Sequence, residues 1–181
     1  SNVQVGSDSG NVATGNIIED STMTDPPTAN WASAGVLLRR SKNTLIQNNQ
    51  FQTTVVGARG QSYGVFFWGA GDYGGNVIRN NNFYSQGTFR DSIGGSGNFQ
   101  VSAGPGPDSF MYNNYMYGSY DDGIESEGGN MNVAIFNNTI KRCRCGTDGT
   151  DMINGIGLAS VVIGPVYAFK NTIIDIREGA F

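Results

Sequence analysis

Short apolar runs recur along this chain, and each is tied to an asparagine. The tetrapeptides Gly15-Asn16-Ile17-Ile18, Asn48-Asn49-Gln50-Phe51, Asn80-Asn81-Asn82-Phe83, Asn113-Asn114-Tyr115-Met116, Asn137-Asn138-Thr139-Ile140 and Lys170-Asn171-Thr172-Ile173 share the form x-Asn-x-apolar. The asparagines at 16, 49, 81, 114, 138 and 171 are separated by 33, 32, 33, 24 and 33 residues, the period of a solenoid with one short coil. Three residues before each Asn stands Ala13, Ile46, Ile78, Met111, Ile135 or Ala168, and two after it stands Ile18, Phe51, Phe83, Met116, Ile140 or Ile173. Both columns are wholly apolar, yet they lie an odd number of residues apart, which a straight strand would place on opposite faces. The chain therefore has to bend near the Asn. An amide repeated at such a bend can stack on its counterpart in the next coil and satisfy backbone groups there, forming an asparagine ladder.

A second strand precedes most of these motifs and usually opens with glycine: Gly35-Val36-Leu37-Leu38-Arg39, Gly64-Val65-Phe66-Phe67-Trp68, Gly123-Ile124-Glu125-Ser126-Glu127 and Gly155-Ile156-Gly157-Leu158-Ala159. The remaining coil offers Asn98-Phe99-Gln100-Val101. Aligning Phe99 with Val36, Val65, Ile124 and Ile156 turns those residues inward together with Leu38, Phe67, Val101, Ser126 and Leu158. In a solenoid each coil is itself the connection between parallel strands, so no helix is required. The expectation is an all-β, single-stranded right-handed parallel β-helix of about five to six coils. Five stacked strands at about 4.8 Å give a ladder roughly 20–25 Å long.

Composition narrows the partners. The 181 residues suit one domain spanning 1–181, or a piece of a longer chain. A net charge of −4 argues against nucleic acid, whose phosphates need clustered Lys and Arg. No histidine is present, which removes Ser-His and Cys-His catalysis and His-ligated zinc. Cys143 and Cys145 stand too close for an ordinary loop-closing disulfide and read as packing thiols. No apolar run is long enough for a membrane span. Asn137-Asn138-Thr139 is formally a glycosylation sequon, but a residue at a packed bend is a poor acceptor. No polar cap is evident at Arg177 to Phe181, so end-to-end or lateral self-assembly is a further expectation.

Three segments, Asp121-Asp122-Gly123-Ile124-Glu125, Asn132 to Ile140, and Gly164-Pro165-Val166-Tyr167-Ala168-Phe169-Lys170-Asn171, resemble secreted bacterial right-handed parallel β-helix proteins of the pectate-lyase-like superfamily. The resemblance implies an extracellular or cell-surface protein acting on a polysaccharide, by hydrolysis or by elimination. Polygalacturonases of this fold carry Asn-Thr-Asp-Gly, then Asp-Asp, then Gly-His-Gly in that order. Here Gly146-Thr147-Asp148-Gly149 follows Asp121-Asp122 and histidine is absent, so that assignment fails. Asp148 and Asp151 in the same loop read as cation ligands or turn formers, with turn chemistry favoured.

In the register above, the outward row carries Leu37 and Arg39, Phe66 and Trp68, Gln100 and Ser102, Glu125 and Glu127, Gly157 and Ala159. Phe66 and Trp68 can stack on sugar rings while Arg39 and Gln100 bond to hydroxyls, unless a loop such as Asp20 to Trp31 covers the aromatics. Glu125 and Glu127 share one face with Cα atoms about 6.6 Å apart, and Asp121 and Asp122 approach from the preceding turn. Carboxylates this crowded either hold a proton or hold a cation. Glu125 and Glu127 are the acid/base candidates, with Asp121 or Asp122 assisting; Ca²⁺ enters if the reaction is elimination from a uronate. A lyase also needs a base, and Arg39 is about 14 Å from Glu125 across three coils, whereas Lys141, Arg142 and Arg144 follow the next Asn motif. The leading expectation is a glycoside hydrolase ahead of a lyase. The alternative is a non-catalytic structural or glycan-binding solenoid of a surface, fibre or adhesion protein.

Overall fold

The computed structural model describes residues 1–26, 33–56, 62–68, 73–95, 104–128, 131–141, 154–158 and 164–175, and every regular element among them is a β-strand. Successive coils pair in parallel to build three sheets, each six strands deep. Face 1 comprises Val3–Val5, Ser33–Arg39, Ser62–Trp68, Ile93–Gly95, Asp122–Ser126 and Asn154–Leu158. Face 2 comprises Ile17–Glu19, Leu45–Gln47, Val77–Arg79, Phe110–Tyr112, Val133–Phe136 and Val166–Phe169. Face 3 comprises Thr22–Thr24, Gln50–Val56, Asn82–Gln86, Tyr115–Tyr117, Thr139–Lys141 and Thr172–Ile174. The chain is thus a parallel β-solenoid, and its core is a stack of like residues: Val36, Val65, Ile93, Ile124 and Ile156 from face 1, Ile46, Ile78, Met111 and Ile135 from face 2, and Met23, Phe51, Phe83, Met116 and Ile140 from face 3.

The bend between faces 2 and 3 is where the sequence repeat acts. Asp20, Asn48, Asn80, Asn113, Asn137 and Lys170 all take left-handed backbone angles, with φ between 51° and 57°, a region that asparagine and aspartate tolerate better than most residues. The residue that follows turns its amide into the stack. Asn81 Nδ2 donates to Ile46 O at 3.0 Å and to Asn114 Oδ1 at 3.1 Å, while Asn81 Oδ1 accepts from the backbone N of Asn49 at 3.0 Å and from its Nδ2 at 3.1 Å. Every hydrogen-bonding site of the buried amide is occupied. Asn114 and Asn138 repeat the pattern, and Asn171 receives the ladder at the next coil.

Two expected registers are corrected. In the first coil the ladder position belongs to Ser21, whose backbone N donates to Asn49 Oδ1 at 3.1 Å, so Asn16 is not a ladder residue and the first spacing is 28. Asn16 instead precedes Ile17–Glu19, whose Ile18 pairs with Ile46, and Ala13 pairs with Ser41. The x-Asn-x-apolar form was met there at the bend before face 2, where Gly15 is left-handed with φ 69°, rather than at the bend between faces 2 and 3. In the fourth coil the inward residue aligned with Val65 and Ile124 is Ile93, not Phe99. Phe99, Gln100, Val101 and Ser102 lie outside the described residues, as do Trp31, Arg142, Cys143, Arg144, Cys145, Asp148, Asp151 and Ala159. Leu158 keeps its inward register opposite Ser126 yet is exposed.

The opening glycines of face 1 have a steric cause. A Cβ on Gly35 would lie 2.5 Å from the Phe51 ring, and one on Gly155 would lie 2.6 Å from Ile173. Glycine and the apolar residue after it both face the core, so the residue before the glycine is turned outward. Ser92 fills the same place in the fourth coil, its hydroxyl sharing a 2.8 Å hydrogen bond with that of Ser119. This kink gives face 1 an extra outward column: Ala34, Tyr63, Asp91, Asp122 and Asn154.

Asn81→Ala should destabilise the fold by roughly 1–3 kcal/mol in denaturant titration, because it orphans the Asn49 N–H and the Ile46 carbonyl. Gln50→Ala, exposed beside the ladder, should shift the midpoint far less; equal shifts would remove the ladder from the account.

Candidate functional site

Face 1 is divided across its outer surface. Its second and third coils present Ala34, Leu37, Tyr63 and Phe66, a small apolar cluster separate from the main core, with Trp68 packed against it. Tyr63 and Phe66 stack at 4.1 Å and the Trp68 ring meets Phe66 edge-on at 5.9 Å. Phe66 points outward as expected but is only 1% exposed, so its ring is not offered to a sugar; it supports Trp68 instead. Trp68 is half-buried, and the Arg39 guanidinium lies 5.1 Å from its ring centroid while pairing with Asp8. Gln100 lies outside the described residues.

The next coils present acids. Glu125 follows Ile124 in the outward column that continues Leu37, Phe66 and Gly94 and runs on to Gly157. Glu127 stands two residues further on the same face. Asp122, from the column opened by the glycine kink, leans over Gly157, where a Cβ would come within 2.6 Å of its Oδ2. One oxygen from each of Asp122, Glu125 and Glu127 lies within 4.8 Å of the others. Asp122 and Glu125 are 4% and 3% exposed, and Glu127 is half-buried.

Three further residues complete this centre, and none was singled out from the sequence. Asp91 is fully buried one coil before Asp122, its Oδ1 accepting the Asp122 backbone N–H at 2.9 Å, and Gly94 leaves the space its carboxyl fills. Arg90 Nε donates to Asp121 at 2.9 Å and stands 4.0 Å from Asp91. Tyr63 hydrogen-bonds with Arg90 and so joins the apolar patch to the acids. The available signal was the likeness of Asp91-Ser92-Ile93, Asp122-Gly123-Ile124 and Asn154-Gly155-Ile156, which the alignment on Phe99 hid.

Burial dominates the electrostatics. It pushes the Asp122 carboxyl up to about 7, helped by Asp121, Glu125 and Glu127 and opposed by a hydrogen bond from Asn154. Burial also raises Glu125, against the Gly95 N–H that donates to its Oε2 at 3.2 Å and against Arg90. Glu127 is raised by burial and by Asp121, with Arg90 opposing. Asp91 is raised well above the usual carboxylate range by burial and then by Glu125, Asp122 and Asp121. Burial alone would lower Arg90, but Asp91, Tyr63 and Asp121 more than offset it and hold the guanidinium charged. Crowding and burial together make this centre a store of protons.

The donor set also fits a divalent cation. Ca²⁺ takes oxygens at about 2.3–2.6 Å, so oxygens up to about 5 Å apart can share one ion. Asp122, Glu125 and Glu127 meet that condition, and an ion there would neutralise a uronate and acidify its neighbouring C–H. Of the expected lyase bases, Lys141 is exposed on face 3, away from the acids, and Arg39 lies coils away on face 1.

The family model described as right handed beta helix region matches residues 1–181. No curated protein and no solved structure matches the chain.

A folded-state pKa of about 7 for Asp122 against 3.8 for the free side chain has a definite sign. The folded chain binds the proton more tightly, so this contribution to stability is complete below about pH 4 and is lost as the pH rises through 7. Melting temperature should therefore decline from pH 5 to pH 8 on this account. Asp122→Asn should flatten the decline and raise the melting point at pH 8 by roughly 2–8 °C, for about 1–2 kcal/mol. An unchanged pH profile in the variant would remove Asp122 from the proton store.

Proposed function

As the chain belongs to the right-handed β-helix family, we propose that face 1 binds a polysaccharide and that its acidic centre hydrolyses a glycosidic bond. The observation that carries this reading is the meeting of Asp122, Glu125 and Glu127 within 4.8 Å on one outward row, with burial raising the proton affinity of all three. Glycoside hydrolysis needs a protonated carboxyl for the leaving oxygen and an ionised one for the developing positive charge. Carboxyls this crowded cannot all ionise, so the centre holds both forms at neutral pH.

Roles follow from exposure and hydrogen bonding. Glu127 is the most accessible of the three and meets the sugar as general acid and base. Glu125, whose ionised form the Gly95 N–H favours, supplies the negative charge beside the reacting carbon. Asp122 beneath them returns protons, and Asp121, paired with Arg90, holds that arginine in place. Separations this short resemble the roughly 5–5.5 Å of retaining pairs rather than the wider gap of inverting ones. Trp68 and Arg39 form the neighbouring sugar subsite, with the apolar patch behind them. Hydrolysis is favoured over elimination because the cation nearest the acids among the described residues, Arg90, is held charged by Asp91, Tyr63 and Asp121 and is a poor base.

Glu127→Gln and Glu125→Gln preserve shape and remove the titratable proton. Each should lower turnover by at least about 10²-fold while substrate affinity is largely kept. Hydrolysis yields a new reducing end alone, so an unsaturated product that absorbs ultraviolet light, formed only with Ca²⁺, would transfer the centre to lyase chemistry. Absence of cleavage across plant, algal and bacterial polysaccharides would leave the chain as a glycan-binding or structural solenoid.

A further inference from the structure

We propose that the acidic centre seats the ammonium group of a free amino sugar, so that the polysaccharide bound on face 1 carries unacetylated amino-sugar residues. The inference rests on the reading of face 1 as a glycan surface and adds the chemistry of the sugar. It starts from acceptors that lack donors. Asp122 Oδ1 and Glu127 Oε2 are buried with no hydrogen-bond partner among the described residues, and Asp122 is itself more than nine-tenths buried. Glu125 Oε2 accepts the Gly95 N–H at 3.2 Å, which leaves its carboxyl further acceptor capacity. A buried acceptor without a donor is costly, so the centre suits a ligand that donates.

Geometry and charge select the donor. An ammonium directs three N–H bonds tetrahedrally, and acceptors at about 2.9 Å from its nitrogen stand about 4.7 Å apart. The oxygens of Asp122, Glu125 and Glu127 lie within 4.8 Å of one another. A sugar hydroxyl donates once and would leave the other carboxyls unsatisfied, and an N-acetyl group is bulkier and neutral. A uronate would bring a further carboxylate to the crowded acids Asp91, Asp121, Asp122, Glu125 and Glu127, where the ion pairs among the described residues join Asp91 and Asp121 to Arg90. The half-buried Glu127 lies at the outer side of the centre, where the ammonium would enter, and the Trp68 ring on the same face takes the apolar side of a neighbouring sugar.

The test is titration calorimetry of the full chain at pH 6 with three probes: a glucosamine hexamer, an N-acetylglucosamine hexamer and a galacturonate hexamer. The glucosamine hexamer should bind at least about tenfold more tightly than the acetylated one, and the galacturonate hexamer should not bind. Glu127→Gln, checked for an unchanged melting curve, should erase that preference. Equal affinity for the two hexosamine oligomers, or tighter binding of galacturonate, would overturn the proposal. So would calcium chloride alone saturating the centre and displacing the glucosamine hexamer, since the positive charge would then come from a metal ion. Selective binding without cleavage supports the ammonium seat while removing the hydrolase; cleavage of a neutral glycan without amino-sugar preference does the reverse.

Discussion

The buried asparagine amides hold this structure in register. A parallel solenoid has no turn chemistry linking one coil directly to the next, so something must prevent each coil from sliding by a residue, which would exchange its inner and outer faces. Asn49, Asn81, Asn114, Asn138 and Asn171 do this by bonding to one another and to the carbonyls of the coil before. The amide is suited to the task because it donates and accepts along one axis. The short coil, with only 24 residues between Asn114 and Asn138, keeps the same ladder geometry as the longer ones, so length varies elsewhere around the coil.

Once the coils are fixed, chemistry on the outer surface is a matter of columns. Face 1 gains its distinctive column because glycine, or Ser92, stands where the core rings leave no room for a larger side chain, and the kink turns the preceding residue outward. The same device along the stack gives an alanine and a tyrosine on one side and two aspartates and an asparagine on the other. Gly94 and Gly157 then act as windows in the next column, letting Asp91 and Asp122 fold over the strand beside Glu125. The acids are crowded by architecture, and the energetic consequence is a raised proton affinity rather than a set of salt bridges, since Arg90 is shared between Asp121 and Asp91.

The asparagine repeat made the solenoid legible, because a bend that must recur in every coil imposes residue type as well as spacing. Glu125 and Glu127 were legible for a similar reason: strand periodicity alone places them outward together. Asn16 misled because the bend before face 2, made by the left-handed Gly15, satisfies the same four-residue form; at the bend between faces 2 and 3 Asp20 supplies the left-handed residue and Ser21 the ladder position. Asp91 was hidden because Phe99 is followed two positions later by Val101, a strand-like alternation, whereas the true inward residue Ile93 is followed by Gly94 and Gly95, which strands disfavour. Only the outward polar residue at the kink, shared by Asp91, Asp122 and Asn154, distinguishes the true register. The burial of Phe66 was not legible, since outward direction on a strand does not state whether another part of the chain lies over it.

The account turns on whether the kinked strand Asp122–Ser126 and the residue after it bring Asp122, Glu125 and Glu127 close enough to share protons. A carbon-13 NMR titration of the side-chain carboxyls in the folded chain reads this directly. The account requires at least one of these three signals to titrate near neutral pH, with the other two responding to the same step because the sites are coupled. Independent titration of all three at ordinary carboxylate values, about 4, would contradict it.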